Sequence, residues 1–293
     1  MVHFSGSKLK YAGILCAALI GSAVLGSAYA PVAIEDVLEQ GAAHEINWTT
    51  LTLRADISFA WQPLAVTAGE KRAEANAIAR NMALSDLQKV LLSLPIDSST
   101  FVRDLMAHDE SGFSYEVQNF VPELARIALP FHSSGNRVRM GMEIDLLGQA
   151  GFLSMLSNHF PMYVRPPEPR SQTRAAFHHS GVIIDARHLD FHPALGTRVF
   201  NTSGDMVYGI PHTDRTVYVK EGHILFLRDH TDPRAMARTG VLPILVLAKD
   251  VRGPANTDLI LFDADSDRIL ASNITRTHLR RCSVVVLCNS IQK

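Results

Sequence analysis

The chain is poor in the residues that mark several specialised protein classes. Among 293 residues there are 3 cysteines, 2 tryptophans and 6 tyrosines. So few cysteines exclude a small disulfide-stapled scaffold, and a hydrophobic core must hold the fold. Aromatics make up 7%, which leaves that core to Leu, Val, Ile and Ala. Neither charge sign dominates: 28 Lys and Arg stand against 29 Asp and Glu. A nucleic-acid partner, which calls for clustered cations, is therefore not expected. The leading apolar run, residues 12–25, falls short of the roughly 20 residues of a membrane-spanning helix. No Gly-x-Ser-x-Gly occurs, nor a Ser-x-x-Lys with its supporting motifs. A Gly-rich phosphate loop is also missing. These absences leave acyl transfer and nucleotide chemistry without a motif to carry them.

What is present begins with the leader. Lys8 and Lys10 precede the uncharged run 12–25, and Ala28-Tyr29-Ala30 offers a small-x-small cleavage site before Pro31. This is the layout of a secretory signal peptide, here residues 1–30. It predicts a periplasmic protein that works away from cytosolic ATP and NAD. Cys16 follows Leu15, not a small residue, so the pattern favours plain cleavage over lipidation. Loss of the two leader lysines takes the net charge from −1 to −3.

Cys282 and Cys288 flank the run 283–287. On one strand their separation would be roughly 20 Å, far beyond the reach of a disulfide. Two buried thiols are the expectation.

Periodicity divides the remainder. Residues 31–41 read as a short amphipathic helix or a loose segment. Residues 48–61 alternate apolar and polar, as a strand with one buried face does. Residues 69–94 carry alanines at 73, 75, 77, 79 and 83, then Leu84, Leu87, Val90, Leu91 and Leu94. Charges fill the other side and Pro95 stops the run, which predicts a long helix. A second short helix is expected over 98–108, and 137–147 alternates again. Residues 31–160 thus form a long helix laid over an antiparallel sheet. Residues 161–180, with four prolines, read as a semi-rigid linker. From 181 to 293 the texture is one of short strands: 181–185, 198–200, 206–208, 224–228, 242–249, 258–262 and 283–288. Asn201-Thr202-Ser203-Gly204-Asp205 signals a hairpin, and 266–279 one short helix. The fold class expected is α+β, with a β-rich second domain built on a mixed or mainly antiparallel sheet.

Gly181-Val182-Ile183-Ile184-Asp185-Ala186-Arg187, followed by Pro193-Ala194-Leu195 and Val207-Tyr208-Gly209, resembles a segment of secreted bacterial envelope proteins. The helix 72–94 and the Pro95-Ile96-Asp97-Ser98-Ser99-Thr100 that follows are similar to the LPP-type outer-membrane lipoprotein domain of FlgP and to the N-terminal region of FlgT. The resemblance implies a structural protein of the periplasm or outer membrane, often near the flagellar basal body. This chain departs from that pattern in lacking a lipobox and in placing His188 and His192 where Gly and a basic or polar residue are usual.

One constellation could carry chemistry. His188, Asp190 and His192 share a face if the segment is extended, and such N and O ligands suit zinc. A solvated loop before Pro193 is the competing reading. Asp185 and Arg187 end an apolar strand, where a charge-assisted pair commonly anchors a turn. Asp263, Asp265 and Asp267 lack the Gly and Glu of an EF-hand, since Arg268 and Ile274 stand at those positions.

The function expected is a non-enzymatic structural or assembly protein of the envelope, acting through self-association or with other envelope proteins and with no resident cofactor. The alternative is a periplasmic ligand- or metal-binding module. Once the leader is cleaved, no transmembrane helix is expected, which leaves peripheral contact with a membrane open.

Overall fold

The computed structural model describes residues 34–62, 67–107, 112–134, 136–162 and 177–292. Residues 1–30, read above as a signal peptide, lie outside them, as does most of the stretch 161–180 read as a linker. Residues 34–293 cluster as one compact unit.

The first half is built around helix α1, Ala68–Ser93. Thr67 caps it: its Oγ1 accepts from the Glu70 amide at 3.3 Å, and the Glu70 carboxylate accepts from the Thr67 amide at 3.2 Å. This reciprocal box satisfies two amides that the first turn leaves unpaired. Ala75, Ala79, Ala83, Leu87, Val90 and Leu91 form its buried stripe. The small alanines let the backbone lie close to the sheet beneath. That sheet presents Leu53, Ala55 and Ile57 from β3 (Thr52–Ala60) and Val138, Met140, Met142 and Ile144 from β5 (Arg137–Asp145), all buried. The register pairs Leu53 with Ile144 and Ile57 with Met140, so a single face is apolar throughout.

The predicted strand 48–61 starts late because residues 48–51 turn, with Leu51 at φ 54°. Helix α2 is Val102–Ala107 and α3 is Phe113–Leu124, followed by β4, Arg126–Ser134. The short α4, Phe152–Leu156, follows β5.

Residues 31–41 are not helical in their described part. Leu38–Gln40 is strand β1, paired antiparallel with β2, His44–Asn47. On its other side β1 receives β14, Ile291–Gln292, in parallel. The chain thus returns to its first sheet, whose order is β14-β1-β2-β3-β5-β4.

The second half departs from the expected strand directions. β6 (Val182–Asp185), β9 (Leu225–Leu227), β10 (Ile244–Leu247) and β13 (Val284–Leu287) form a sheet ordered β10-β6-β13-β9 with every neighbour parallel. Val182–Ile184 and Val284–Leu287 are continuous apolar runs buried on both faces, as the inner strands of a parallel sheet are, but such a run fits either direction and the crossovers decide it. A smaller mixed sheet contains β7 (Val199–Asn201), β8 (Met206–Tyr208), β11 (Asp250–Arg252) and β12 (Asp258–Leu261). Helices α5 (Arg215–Glu221) and α6 (Pro233–Thr239) fall between strands. The stretch 266–279 holds parts of two helices, α7 (Asp263–Leu270) and α8 (Asn273–Arg280). Ser272 separates them by capping the second, accepting from the Thr275 amide at 3.3 Å.

A continuous core runs through both halves. Trp48 of the first packs edge-on against Phe226 of the second at 6.2 Å between ring centroids. Thr49 Oγ1 donates to the Phe226 carbonyl at 2.8 Å.

Candidate functional site

In open parallel sheets, ligands gather at the carboxyl ends of the strands. Here that end collects Asp185 and Arg187 after β6, Arg228 and Asp229 after β9, and Asn289 after β13. The pair that the sequence marks as a turn anchor, Asp185 and Arg187, stands at that end.

Their geometry is one of mutual neutralisation. The Asp185 carboxylate accepts from the Arg187 amide at 3.1 Å, from Nε at 2.9 Å and from Nη2 at 2.6 Å. The guanidinium holds this carboxyl below its ordinary range, against the opposing effect of burial. Arg187 Nη1 also reaches Asp229 Oδ2 at 3.4 Å, and the Arg187 carbonyl accepts from Asn289 Nδ2 at 2.8 Å. The Asp229 carboxylate is lowered chiefly by the Thr231 amide and hydroxyl, each at 2.8 Å. Asp232 caps α6 and pairs with Arg234, whose Nη1 donates to Asp36 at 2.6 Å. Arg228 pairs with Glu35. The chain entering at residues 35–36 is thereby fastened to the same sheet end.

His188, Asp190 and His192 do not lie along an extended strand. The chain turns at Arg187–His188, where the Asp185 carboxylate captures the Arg187 amide. His192 Nε2 approaches Asp190 Oδ1 at 3.4 Å. The other Asp190 oxygen accepts from Asn256 Nδ2 at 3.1 Å. Among the described residues, no group of three or more His, Cys, Asp or Glu side chains gathers to hold a metal ion. Asp263, Asp265 and Asp267 lie on α7 rather than in a calcium loop.

Two polar clusters escaped the sequence reading. In the first, Asp258 is fully buried and accepts from the Arg198 amide at 3.0 Å, from Arg198 Nε at 2.9 Å and Nη2 at 2.6 Å, and from Ser98 Oγ at 2.7 Å. Arg198 also faces Asp97 at 3.4 Å. The loop after α1 is thus locked onto the second half, where Leu195 and Gly196 donate backbone hydrogen bonds to the Pro95 and Ile96 carbonyls. Partners 160 residues apart leave no local signal in the sequence.

In the second cluster the His223 ring stacks on Tyr208 at 4.5 Å, with the planes 2° apart. Its Nε2 lies 3.0 Å from the Thr197 carbonyl, and Tyr208 Oη donates to the His223 carbonyl at 3.0 Å. Burial lowers the imidazole to about 3. Cys282 is free and buried, its thiol pushed up to about 11 by desolvation. Cys288 is likewise free and buried, and raised further. Both thiols stay protonated at neutral pH, so neither is an activated nucleophile.

A cleft of about 470 Å³ opens at the start of α1, lined in part by Trp61, Lys71, Arg72, Phe131, His132 and Asn136. Among the described residues, its lining brings together cations and aromatics and no carboxylate.

Among the described residues, no helix is long and apolar enough to cross a membrane. No curated protein matches the chain. Residues 181–290 match the family model described as the second domain of Treponema pallidum Tp0624. The match covers the second half of the chain, including the parallel sheet and the charged turn after β6, and makes that half similar to a spirochaete protein domain.

Proposed function

We propose that the protein is a non-enzymatic structural component of the bacterial envelope, located in the periplasm at the outer membrane and assembling with itself or with other envelope proteins. The observation that carries this reading is the closed charge network at the carboxyl end of the parallel sheet. An α/β enzyme keeps acids, bases or phosphate-binding amides available there. Here Asp185, Asp229, Asp232 and their arginines are engaged with one another, and the same network fastens the entering chain. The resemblance of residues 72–102 to LPP-type and FlgT N-terminal regions supports an envelope role near the flagellar basal body.

The test is gentle extraction of the envelope from cells that make the protein, followed by gradient sedimentation. The expected result is migration in a complex much larger than the chain, together with inactivity on a broad hydrolase panel. A small free species that turns over a panel substrate would overturn the proposal. Metal analysis of untagged protein addresses the alternative module: stoichiometric zinc lost on His192→Ala would favour binding over assembly.

A further inference from the structure

Three elements meet to form the cleft at the start of α1. The capping box at Thr67 fixes the first turn of the helix, which carries Lys71 and Arg72. The hairpin of β4 and β5 supplies Phe131 and His132 from one arm and Asn136 from its turn. Trp61 follows β3, and its amide donates to the Asn136 carbonyl at 2.7 Å, which ties two of the walls together. The volume of about 470 Å³ lies within the range of small-molecule sites, roughly 300–1,000 Å³.

The charges here differ from those at the end of the parallel sheet, where Arg187, Arg228 and Arg234 are all paired with carboxylates. Among the described residues, Lys71, Arg72, Arg137 and Arg139 make no ion pair. Glu70 is engaged: its carboxylate accepts from the Thr67 hydroxyl at 2.7 Å and from the Thr67 amide at 3.2 Å. Residues 127–142 contain no Asp or Glu, and residues 63–66 are uncharged. In the ladder His132 stands opposite Arg139 and Ser134 opposite Arg137, so neither arginine meets an acid there. The Arg72 guanidinium lies 5.8 Å from the centre of the Phe131 ring. Such a contact holds the cation at the cleft and leaves its N–H donors unspent. Gln62, Ser133 and Asn136 add lining groups that can both donate and accept.

We infer that this cleft binds an anionic saccharide. Lys71 and Arg72 take its carboxylate or phosphate, a sugar ring lies along Trp61 and Phe131, and sugar hydroxyls exchange hydrogen bonds with Gln62 and Asn136. The lining sets this class of ligand. A bare inorganic anion leaves the aromatic walls without a partner. An acyl chain strands the side-chain amides, and a buried amide left unpaired is costly. A neutral sugar leaves two cations uncompensated. Arg137 and Arg139 on the adjoining strand add positive potential, which draws an anion toward this end of the molecule. The site goes beyond the assembly reading and does not rest on it, since a single chain contains every residue named.

Titration of the full chain, followed by tryptophan fluorescence, tests this. Trp48 is fully buried, so Trp61 is the reporter that a ligand in the cleft reaches. The probes are digalacturonate, glucose 1-phosphate, cellobiose and inorganic phosphate. The variants are Lys71→Gln, Arg72→Gln and, as a control on the same helix, Lys89→Gln. The expected result is saturable binding of one or both acidic saccharides, weakened as salt is raised. Either cleft variant should raise the dissociation constant at least about tenfold, the loss typical of a hydrogen bond to a charged group, and the control should bind normally. Arg72 is exposed and Lys71 half-buried, so melting temperatures should match the wild type and exclude unfolding as the cause. Binding of digalacturonate alone would assign a carboxylate to the ligand, and of glucose 1-phosphate alone a phosphate. Cellobiose or inorganic phosphate bound as tightly as the acidic saccharides would overturn the proposal. Failure of both acidic probes to bind, or binding unmoved by either substitution, would overturn it equally. If neither acidic probe bound but the chain floated with phosphatidylglycerol vesicles, and both variants did not, the cleft would be reassigned to a lipid surface.

Discussion

Replacing Arg198 with methionine should be among the most damaging single changes away from the apolar core. Asp258 has no exposed surface and takes three of its four hydrogen bonds from Arg198, while the Arg198 side chain is 27% exposed. The substitution keeps the aliphatic stem and the backbone amide but strands a carboxylate beside Ser98 with no cation on it. Removing one partner of a buried pair typically costs about 3–5 kcal/mol, most of it the desolvation of the charge left behind. Partial exposure of Arg198 places the expectation near the lower end, at about 3 kcal/mol. For a chain of this size that corresponds to a drop of roughly 6–12 °C in melting temperature. The assay is urea unfolding at neutral pH, read by circular dichroism. The internal control is Arg54→Met, which removes the exposed Arg54–Asp56 pair (38% and 51% exposed) and should cost no more than about 1 kcal/mol. Adding Asp258→Leu to Arg198→Met should recover part of the loss, because both charges then leave together. If Arg198→Met proved no worse than Arg54→Met, the claim that this cluster ties the loop after α1 to the second half would fall.

Other outcomes follow from the same physics. His223 is held neutral by burial, with its folded value near 3 against about 6.5 when unfolded. Below pH 6.5 the unfolded chain takes up a proton that the folded chain refuses, so stability falls with pH, by about 1.4 kcal/mol per unit for this group. Urea midpoints at pH 6.5 and 4.5 should therefore differ, and His223→Gln should flatten the profile; an identical slope in the variant would refute the assignment. Gly181→Ala would place a Cβ 2.7 Å from the Ser283 carbonyl oxygen and 2.8 Å from Thr239 Cα. Crowding of this kind costs about 1–3 kcal/mol, and an unchanged denaturation midpoint would show that the strand shifts freely. This contact also gives the glycine that opens the Gly-Val-Ile-Ile-Asp segment a steric reason.

Helix α1 and its sheet were legible in the sequence because their signals are local and long. The alanine stripe places the helix at 69–94, one residue from its observed limits at either end. Period-two alternation marks both β3 and β5. The hairpin joining β7 and β8 was equally readable, with Gly204 at φ 89° in its turn. The charged turn after β6 was visible as Asp185 and Arg187, because its partners are two residues apart. Strands β1, β2 and β14 gave no comparable signal, being two to four residues long.

By itself, the sequence determined the local elements: where a helix has a stripe to bury, where a strand has two unlike faces and where a turn satisfies its own backbone. It could not set the direction of the short apolar strands, since a run such as Val284–Leu287 buries equally well in either sense until crossovers are closed. Only the tertiary structure decided that β6, β9, β10 and β13 run parallel and that β14 returns to pair with β1. It alone brought Asp258 to Arg198 and Ser98, because a buried carboxylate must find its donors wherever the fold supplies them. It also left Leu245 and Leu247 of β10 exposed, because exposure depends on what packs above a strand and not on the residues within it.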